Sequence, residues 1–350
     1  MIPRATLAPG YSISRLIKGG WHLAGGHGTV DPAQACRDMA AFVDAGITTF
    51  DCADIYTGVE ELIGRFRRDY PQQARELRVH TKLVPDLDLL ASVDRSGIEA
   101  IIDRSLRRLG VQRLDLVQFH WWDFSVPRYV EVGLELERLQ RAGKIEHVGV
   151  TNFGVRQLTE MLEAGLPVFA HQLQYSLLDA RPERASPSTM VDLCLARRIA
   201  LLCYGTVAGG FLSERWLDQP EPQGLFTNRS LTKYRLVIEE FGGWTLFQEL
   251  LDALQEIALR HDCDIASVAV RAILDRPGVA AAIVGATNAS HLPSHRRIGE
   301  LVLTPQDRER IRTVTDRARG PRGDVYELER DRAGPHGRIM KYTLNRPCRE

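Results

Sequence analysis

The sequence predicts an α/β fold: a closed (β/α)8 (TIM) barrel with extra helices, a long loop after strand 7 and a C-terminal extension. Three observations predict it. Short apolar runs alternate eight times with longer amphipathic segments, and such alternation calls for a parallel sheet with crossover helices, closed into a barrel when it reaches eight units. Glycines follow the amphipathic segments at Gly46, Gly110, Gly143 and Gly165, where a left-handed residue ends a helix. Asp51, Lys82 and His120 each close an apolar run, and barrel strands bring their C-terminal ends to one face. A doubly wound sheet would need a glycine-rich turn after its first strand; the run Gly25-Gly26-His27-Gly28 lacks that spacing.

The elements follow in order. Residues 16–20 form the first strand and lead to a helix over 32–45, with Asp31 as N-cap before an N1 proline. Residues 48–51 lead to 60–70, and 77–82 lead, past the Pro85 loop, to 96–109. Strand 114–120 precedes helix 128–142, strand 147–151 precedes 155–164, and strand 167–173 precedes 187–196. The seventh strand, 199–204, opens into the long segment 205–243, followed by helices over 244–261 and 265–275. Strand 280–284 and helix 289–298 complete the repeat. Segments as long as 205–243 are commonly lids or binding loops, and this one is expected to clamp a cofactor and to order on binding it. The whole chain, 1–350, reads as one barrel domain. Its tail, 318–350, carries the apolar anchors Val325, Tyr326, Leu328, Ile339, Met340 and Tyr342 and is expected to pack near the barrel mouth.

Composition narrows the function. Lys plus Arg and Asp plus Glu both number 45, so no field steers the chain onto nucleic acid or an anionic membrane. No apolar run is long enough to span a bilayer. The six cysteines form no paired framework, and the N-terminus has no apolar signal region; both suit reduced thiols in a cytoplasmic compartment. The expected partner is a small-molecule carbonyl substrate, with neither nucleic acid nor membrane, and no oligomeric state is read.

Asp51, Tyr56, Lys82 and His120 are the parts of a proton-donating site. A free phenol titrates near ~10 and protonates a forming alkoxide poorly. An ammonium at ~4 Å, with an effective dielectric of ~20, would stabilise the phenolate by about 4 kcal/mol, or roughly three pK units, before desolvation. Lys82 is the candidate ammonium, and Asp51 the carboxylate that keeps it charged. His120 is expected to donate a hydrogen bond to a carbonyl oxygen. Taken singly, an Asp at a strand end is a cap, a Lys a surface charge and a loop Tyr a packing residue. Their joint order at successive strand ends favours the chemical reading.

Several motifs accompany these residues: Phe50-Asp51-x-Ala53-x-x-Tyr56 with Glu60; Leu109-Gly110 followed by Leu114-Asp115 and His120; Gly149-Val150-Thr151-Asn152-Phe153; Gln172-x-x-Tyr175-Ser176; and Ile283-Val284-Gly285-Ala286. Together they resemble the aldo-keto reductase family over nearly the whole chain. The resemblance implies a (β/α)8 barrel that binds extended NADPH and transfers hydride to an aldehyde or ketone. It implies a catalytic tetrad of Asp51, Tyr56, Lys82 and His120. It assigns the nicotinamide amide to Thr151, Asn152 and Gln172, with Tyr175 beside the ring. The pyrophosphate falls to Tyr204, Gly205, Thr206, Ala208, Gly209, Gly210 and Leu212. The adenosine end falls to Gly285, Ala286, Thr287, Asn288, Leu292 and His295, and Gly20 and Trp21 join the cofactor residues.

Some positions depart from the family pattern. Tyr56-Thr57-Gly58 carries one residue more than the usual Tyr-Gly. No Lys or Arg directly follows the last strand, which leaves His295 or Arg296 as sources of charge for a 2′-phosphate. NADP(H) is therefore expected with reduced affinity, and NAD(H) is the alternative. His291 and His295 have helical metal spacing but no third ligand, so no metal is expected. Trp21, His22, Trp121 and Trp122 are expected to bind substrate, with Phe211, Trp216, Trp244 and Phe247 extending an apolar wall. That lining suits a bulky apolar or aromatic carbonyl. Two other readings stay open: a slow, cofactor-sensing regulatory subunit, and a barrel that uses the tetrad for non-redox dehydratase or lyase chemistry.

Overall fold

The eight expected strands close on themselves. The computed structural model describes residues 2–24, 30–184, 188–224, 226, 228–286, 288–342 and 344. Two N-terminal strands, β1 (Arg4–Ala8) and β2 (Tyr11–Ser14), pair antiparallel. The barrel follows: β3 (Leu16–Gly19), β4 (Thr49–Asp51), β5 (Arg78–Leu83), β6 (Leu114–Phe119), β7 (Ile145–Thr151), β8 (Val168–Gln174), β9 (Ala200–Tyr204) and β10 (Val279–Gly285). Each strand pairs in parallel with the next, and β10 returns to β3. The run Gly25-Gly26-His27-Gly28 and Thr287 lie outside the described residues.

Alternation along each strand sorts side chains between the two cores. On β6, Leu116 enters the barrel interior, while Val117 and Phe119 join the layer beneath the helices. The interior cluster is small: Tyr11, Ile13, Ile17, Leu116, Ala170, Leu202 and Ala281. Tyr11 and Ile13 come from the N-terminal hairpin, which no sequence reading anticipated. It plugs the end of the barrel where the strands begin, and the Tyr11 hydroxyl lies 3.1 Å from His80 Nε2. Apart from His80 on the Tyr11 hydroxyl, apolar groups fill the middle of the barrel, and Asp51, Lys82, Gln118 and Gln172 gather toward the opposite end.

Helix punctuation is as expected at both ends. Asp31 accepts a hydrogen bond from Ala33 N at 3.0 Å and starts the helix Pro32–Asp44. Gly110, at φ 67°, ends Arg95–Leu109.

The segment 205–243 differs from its reading as a loop. It holds a helix of 13 residues, Arg229–Phe241, capped by Asn228. Tyr234, Val237, Ile238 and Phe241 form its buried stripe, at the three- and four-residue spacing of an amphipathic helix. The preceding Gly- and Pro-rich stretch obscured that period. Phe211, Trp216, Trp244 and Phe247, expected to extend an apolar wall, pack on one another. Phe211 stacks on Trp216 at 4.7 Å and meets Phe247 edge-on at 6.1 Å, and Trp216 meets Trp244 at 5.9 Å. They pin the segment onto the helix Trp244–Arg260. An additional helix, Pro305–Thr315, starts at a Thr304 capping box. No helix among the described residues is long and apolar enough to cross a membrane.

Candidate active site

The polar end of the barrel interior is organised around one carboxylate. Lys82 Nζ donates to both Asp51 oxygens, at 2.9 and 2.8 Å, and to Cys52 O at 2.8 Å. Asp51 Oδ1 also accepts from Gln118 Nε2 at 3.1 Å and from Gln172 Nε2 at 2.6 Å. Gln118 was missed in the sequence. It lies two positions beyond the inward Leu116, so the strand period could have found it. Both members of the ion pair are buried, where losing either would leave an uncompensated charge. Burial opposes the charge on Lys82, but Asp51, Tyr56 and Cys52 together outweigh it and the ammonium pKa is raised.

Tyr56 lies on the loop after β4, its ring centroid 5.1 Å from Lys82 Nζ and 5.1 Å from the Trp21 ring. Burial raises its pKa, and the opposing pull of Lys82 does not cancel that rise. The expected net lowering of the phenol is therefore not found: desolvation of the phenolate exceeds the Coulombic gain. Tyr56 is held in its protonated, donating form at neutral pH.

His120 also departs from expectation. Its Nδ1 lies 3.3 Å from the carbonyl oxygen of Thr151, which can only accept, so Nδ1 carries the hydrogen. Burial, Arg330 and Lys82 depress the imidazole to about 3. The neutral ring therefore offers Nε2 as an acceptor, whereas the sequence led to the expectation of a donor without assigning either nitrogen. Nε2 is buried and has no hydrogen-bond partner among the described residues. Trp122 meets the ring edge-on at 4.3 Å.

The remaining candidates divide. Thr151 Oγ1 and Thr206 Oγ1 are buried without hydrogen-bond partners among the described residues. Asn152, in the left-handed region at φ 64°, accepts at Oδ1 from Tyr204 OH at 2.8 Å. Gln172 also donates to Gln118 Oε1 at 3.1 Å, so its amide nitrogen is committed inward. Tyr175 is buried, and burial raises its phenol pKa, with Glu183 adding to the rise. The backbone from Gly205 to Leu212 makes a tight turn. Gly209, at φ 65°, is exposed, and a Cβ on Gly210 would meet nothing within 4 Å. A Cβ on Gly205 would instead fall 2.4 Å from the Tyr234 hydroxyl. Gly20 packs against the Asp51 carbonyl, with its N–H donating there at 2.7 Å.

Three residues do not sit as expected. Trp121 is fully buried, with Nε1 donating to Val126 O at 3.0 Å and its ring on Phe119; successive side chains leave a strand end on opposite sides, and only Trp122 turns to His120. His22 lies against Gly285, at the adenosine end of the expected groove. His295 is buried, with its ring 5.8 Å from that of Phe42, and burial lowers its pKa to about 4. It supplies no positive charge at neutral pH. Asn288 accepts from Ser290 N at 2.9 Å, Leu292 opens the helix Leu292–Glu300, and Ala286 is buried.

The tail reaches this site. Tyr326, left-handed at φ 60°, packs edge-on to the His120 ring at 5.6 Å, and Tyr342 meets Trp122 at 5.2 Å. Arg330 donates to Trp121 O at 3.0 Å and to Asn152 O at 2.6 Å. Glu329 is fully buried and paired with Arg181 at 3.0 Å and Lys233 at 3.4 Å, and Arg181 also meets Asp179 at 2.7 Å. A cavity of about 500 Å³ lies between Leu87, Trp122, Phe124, Arg330 and Tyr342.

Comparison with known proteins bears on the same barrel. The family profile described as "Aldo/keto reductase family" matches residues 15–316. Over 317 residues the chain is 27% identical to "Aldo-keto reductase YhdN" of Bacillus subtilis, covering 88% of this chain and 91% of that protein. It is 25% identical over 300 residues to "NADH-specific methylglyoxal reductase" of Escherichia coli, covering 79% and 86%. A solved glycerol dehydrogenase from Gluconobacter oxydans shares the fold, with a TM-score of 0.73 at 24% identity, over 92% of this chain and 97% of that one.

Proposed function

The chain belongs to the aldo/keto reductase family, a family of oxidoreductases, and from that premise we propose that it reduces an aldehyde or ketone to the alcohol at the Asp51–Tyr56–Lys82–His120 cluster. One observation carries the reading: a protonated phenol stands 5.1 Å from a buried ammonium that a carboxylate holds by two hydrogen bonds.

Tyr56 is the general acid. As negative charge develops on the substrate oxygen, its proton moves there and the phenolate left behind faces Lys82. The ammonium is bound before that moment and needs no reorganisation, so it stabilises the transition state more than the ground state. Asp51 keeps Lys82 charged and in place, and Gln118 and Gln172 orient Asp51. His120 Nε2, as acceptor, is suited to the hydroxyl of the product alcohol and so to release from the Tyr56 oxygen.

A nicotinamide cofactor fits the residues present. The unpartnered hydroxyls of Thr151 and Thr206 and the open backbone at Gly210 offer polar and steric room. Asn152 and Gln172, with Thr151, would hold the amide end; Tyr204 to Leu212 would hold the pyrophosphate; Gly285, Thr287, Asn288 and Leu292 would meet the adenosine. When bound, the cofactor supplies the hydride for the carbonyl carbon. NADPH is the proposed partner with weak discrimination against NADH, since His295 is neutral and its ring is buried. Trp122, Phe124 and Tyr342 give the cavity an aromatic wall that supports a bulky aromatic substrate, and Asp123, Arg330, Asp331 and Arg332 line its polar side. Titration of tryptophan fluorescence with NADPH and NADH, followed by turnover of an aldehyde panel, tests the reading. Binding with turnover of aromatic aldehydes is expected; binding without turnover would favour a sensing role, and the absence of both would overturn the proposal.

A further inference from the structure

Among the features outside the tetrad, the contact of the C-terminal tail with His120 goes furthest. It lies beyond residue 316, where the family match ends. His120 closes β6 at the edge of the barrel, and its ring is bonded to Thr151 at the end of β7. The residues that follow these two, Trp121 and Asn152, offer their carbonyl oxygens to one nitrogen of Arg330, at 3.0 and 2.6 Å. The guanidinium lies 4.1 Å over the Phe124 ring and 5.2 Å from the Tyr326 ring centroid. Tyr326 in turn packs on His120. Glu329, next to Arg330, is fastened by Arg181 and Lys233. The guanidinium thus has a fixed origin and joins the two strand exits whose separation sets the His120 Nδ1 to Thr151 O bond.

We propose that Arg330 is a positioning residue for His120: by cross-linking the backbone after β6 to the backbone after β7, it fixes the tautomer that the imidazole presents to substrate. The proposal rests on the reductase reading only for its catalytic consequence. A slack junction would let Nδ1 leave Thr151 O, and the ring would then populate both tautomers or take up a proton. The charged groups that bear on the ring are Lys82 from β5 and Arg330 from the tail, with the Tyr326 phenol packed against it. Both cations oppose protonation, so removing Arg330 shifts His120 toward the ordinary histidine value of about 6.5.

The test is histidine nitrogen NMR on the full-length chain, compared with Arg330→Met and Arg330→Lys. A control, Arg322→Met, removes a tail cation whose guanidinium reaches Arg319 O. In the wild type, His120 is expected as the neutral Nδ1–H form with no titration down to pH ~5. Arg330→Met is expected to bring the His120 midpoint above pH ~5, into the observed range, and to mix the tautomers. Arg330→Lys, which keeps the charge and loses the planar fork, should mix the tautomers with a smaller titration shift. It carries the test if Arg330→Met does not fold. The control should match the wild type. If both Arg330 variants keep the wild-type tautomer and titration, the contact is packing alone and the proposal falls. A new acidic limb in the kcat/KM profile of Arg330→Met would extend the effect to catalysis. Absence of any carbonyl turnover in the wild type would overturn the reductase reading, while the NMR result still decides the positioning claim.

Discussion

Where Asp51, Lys82, Gln118 and Gln172 meet, the buried carboxylate and ammonium are paired, and two amides hold the carboxylate within 3.1 Å. At the other end, Asn288 and His295 serve the chain itself. Asn288 caps a turn, and the His295 ring packs by Phe42 and is neutral. The proposed groove therefore joins an end with a preorganised ion pair to an end whose histidine is neutral. Proton chemistry asks for fixed charge in a dry place, because there a small displacement changes the energy most. Holding a nucleotide asks less, since exposed groups can adapt. The contrast predicts chemistry that is sensitive to single substitutions and cofactor choice that is soft.

The largest expected effect would come from breaking the charged end. Lys82→Met should lower turnover by about 10²–10⁴-fold, the usual range for positioned acid–base chemistry. It should also destabilise the fold by about 3–5 kcal/mol, because Asp51 is left buried and unpaired. Asp51→Asn should cost less turnover, since it acts on the phenol through Lys82. Steady-state kinetics and urea unfolding of both variants check the order. A Lys82→Met enzyme with an unchanged pH–rate profile would contradict the account.

Acid separates burial from charge pairing. His80, His120 and His171 are depressed to about 3, and His295 to about 4, each with burial as the main cause. Unfolded histidines bind protons below about 6.5 that the folded ones refuse. Their contribution to stability is thus full above that pH and is lost as pH falls toward 3. Urea unfolding should show stability lower at pH 5 than at pH 7 by at least about 2 kcal/mol, the linkage for one such histidine. Equal stability at the two values would mean that these rings are not sequestered. Because His120 and His295 behave alike here, the two ends differ in their charge partners and not in their dryness.

The fold and the strand-end positions of Asp51, Lys82 and His120 were legible because their marks are local. A strand end is marked by where an apolar run stops, so Asp51, Lys82 and His120 align from the sequence alone. Tyr56 followed from its distance to Asp51 along the chain. The tautomer of His120 was not legible, because it depends on a carbonyl 31 residues away. Nor were the roles of Tyr326, Glu329 and Arg330: the tail has no strong period, and its contacts cross the chain to Trp121, Asn152 and Arg181. Trp121 and Trp122 were read alike because sequence places both after one strand, and only the turn of the backbone separates them. The sign of the Tyr56 shift was missed because burial cannot be weighed against Coulomb attraction without a structure.

The smallest effect lies at the adenosine end. Thr287→Arg should tighten NADPH relative to NADH by about 1–2 kcal/mol, the scale of one charge-assisted hydrogen bond. Fluorescence titration with both cofactors reads it. Equal tightening of the two would show that this position does not face the 2′-phosphate, and the softness of that end would need another cause.

The central claim is that the Tyr56 hydroxyl delivers the proton from a site that binds cofactor without it. Tyr56→Phe, measured in parallel for NADPH binding and for turnover of an aromatic aldehyde, tests this most directly. The account predicts a cofactor Kd within about twofold of wild type and turnover reduced by about 10²-fold or more. A variant that keeps more than about a tenth of wild-type turnover would contradict it, because general acid catalysis by this phenol could not then be the main source of the rate.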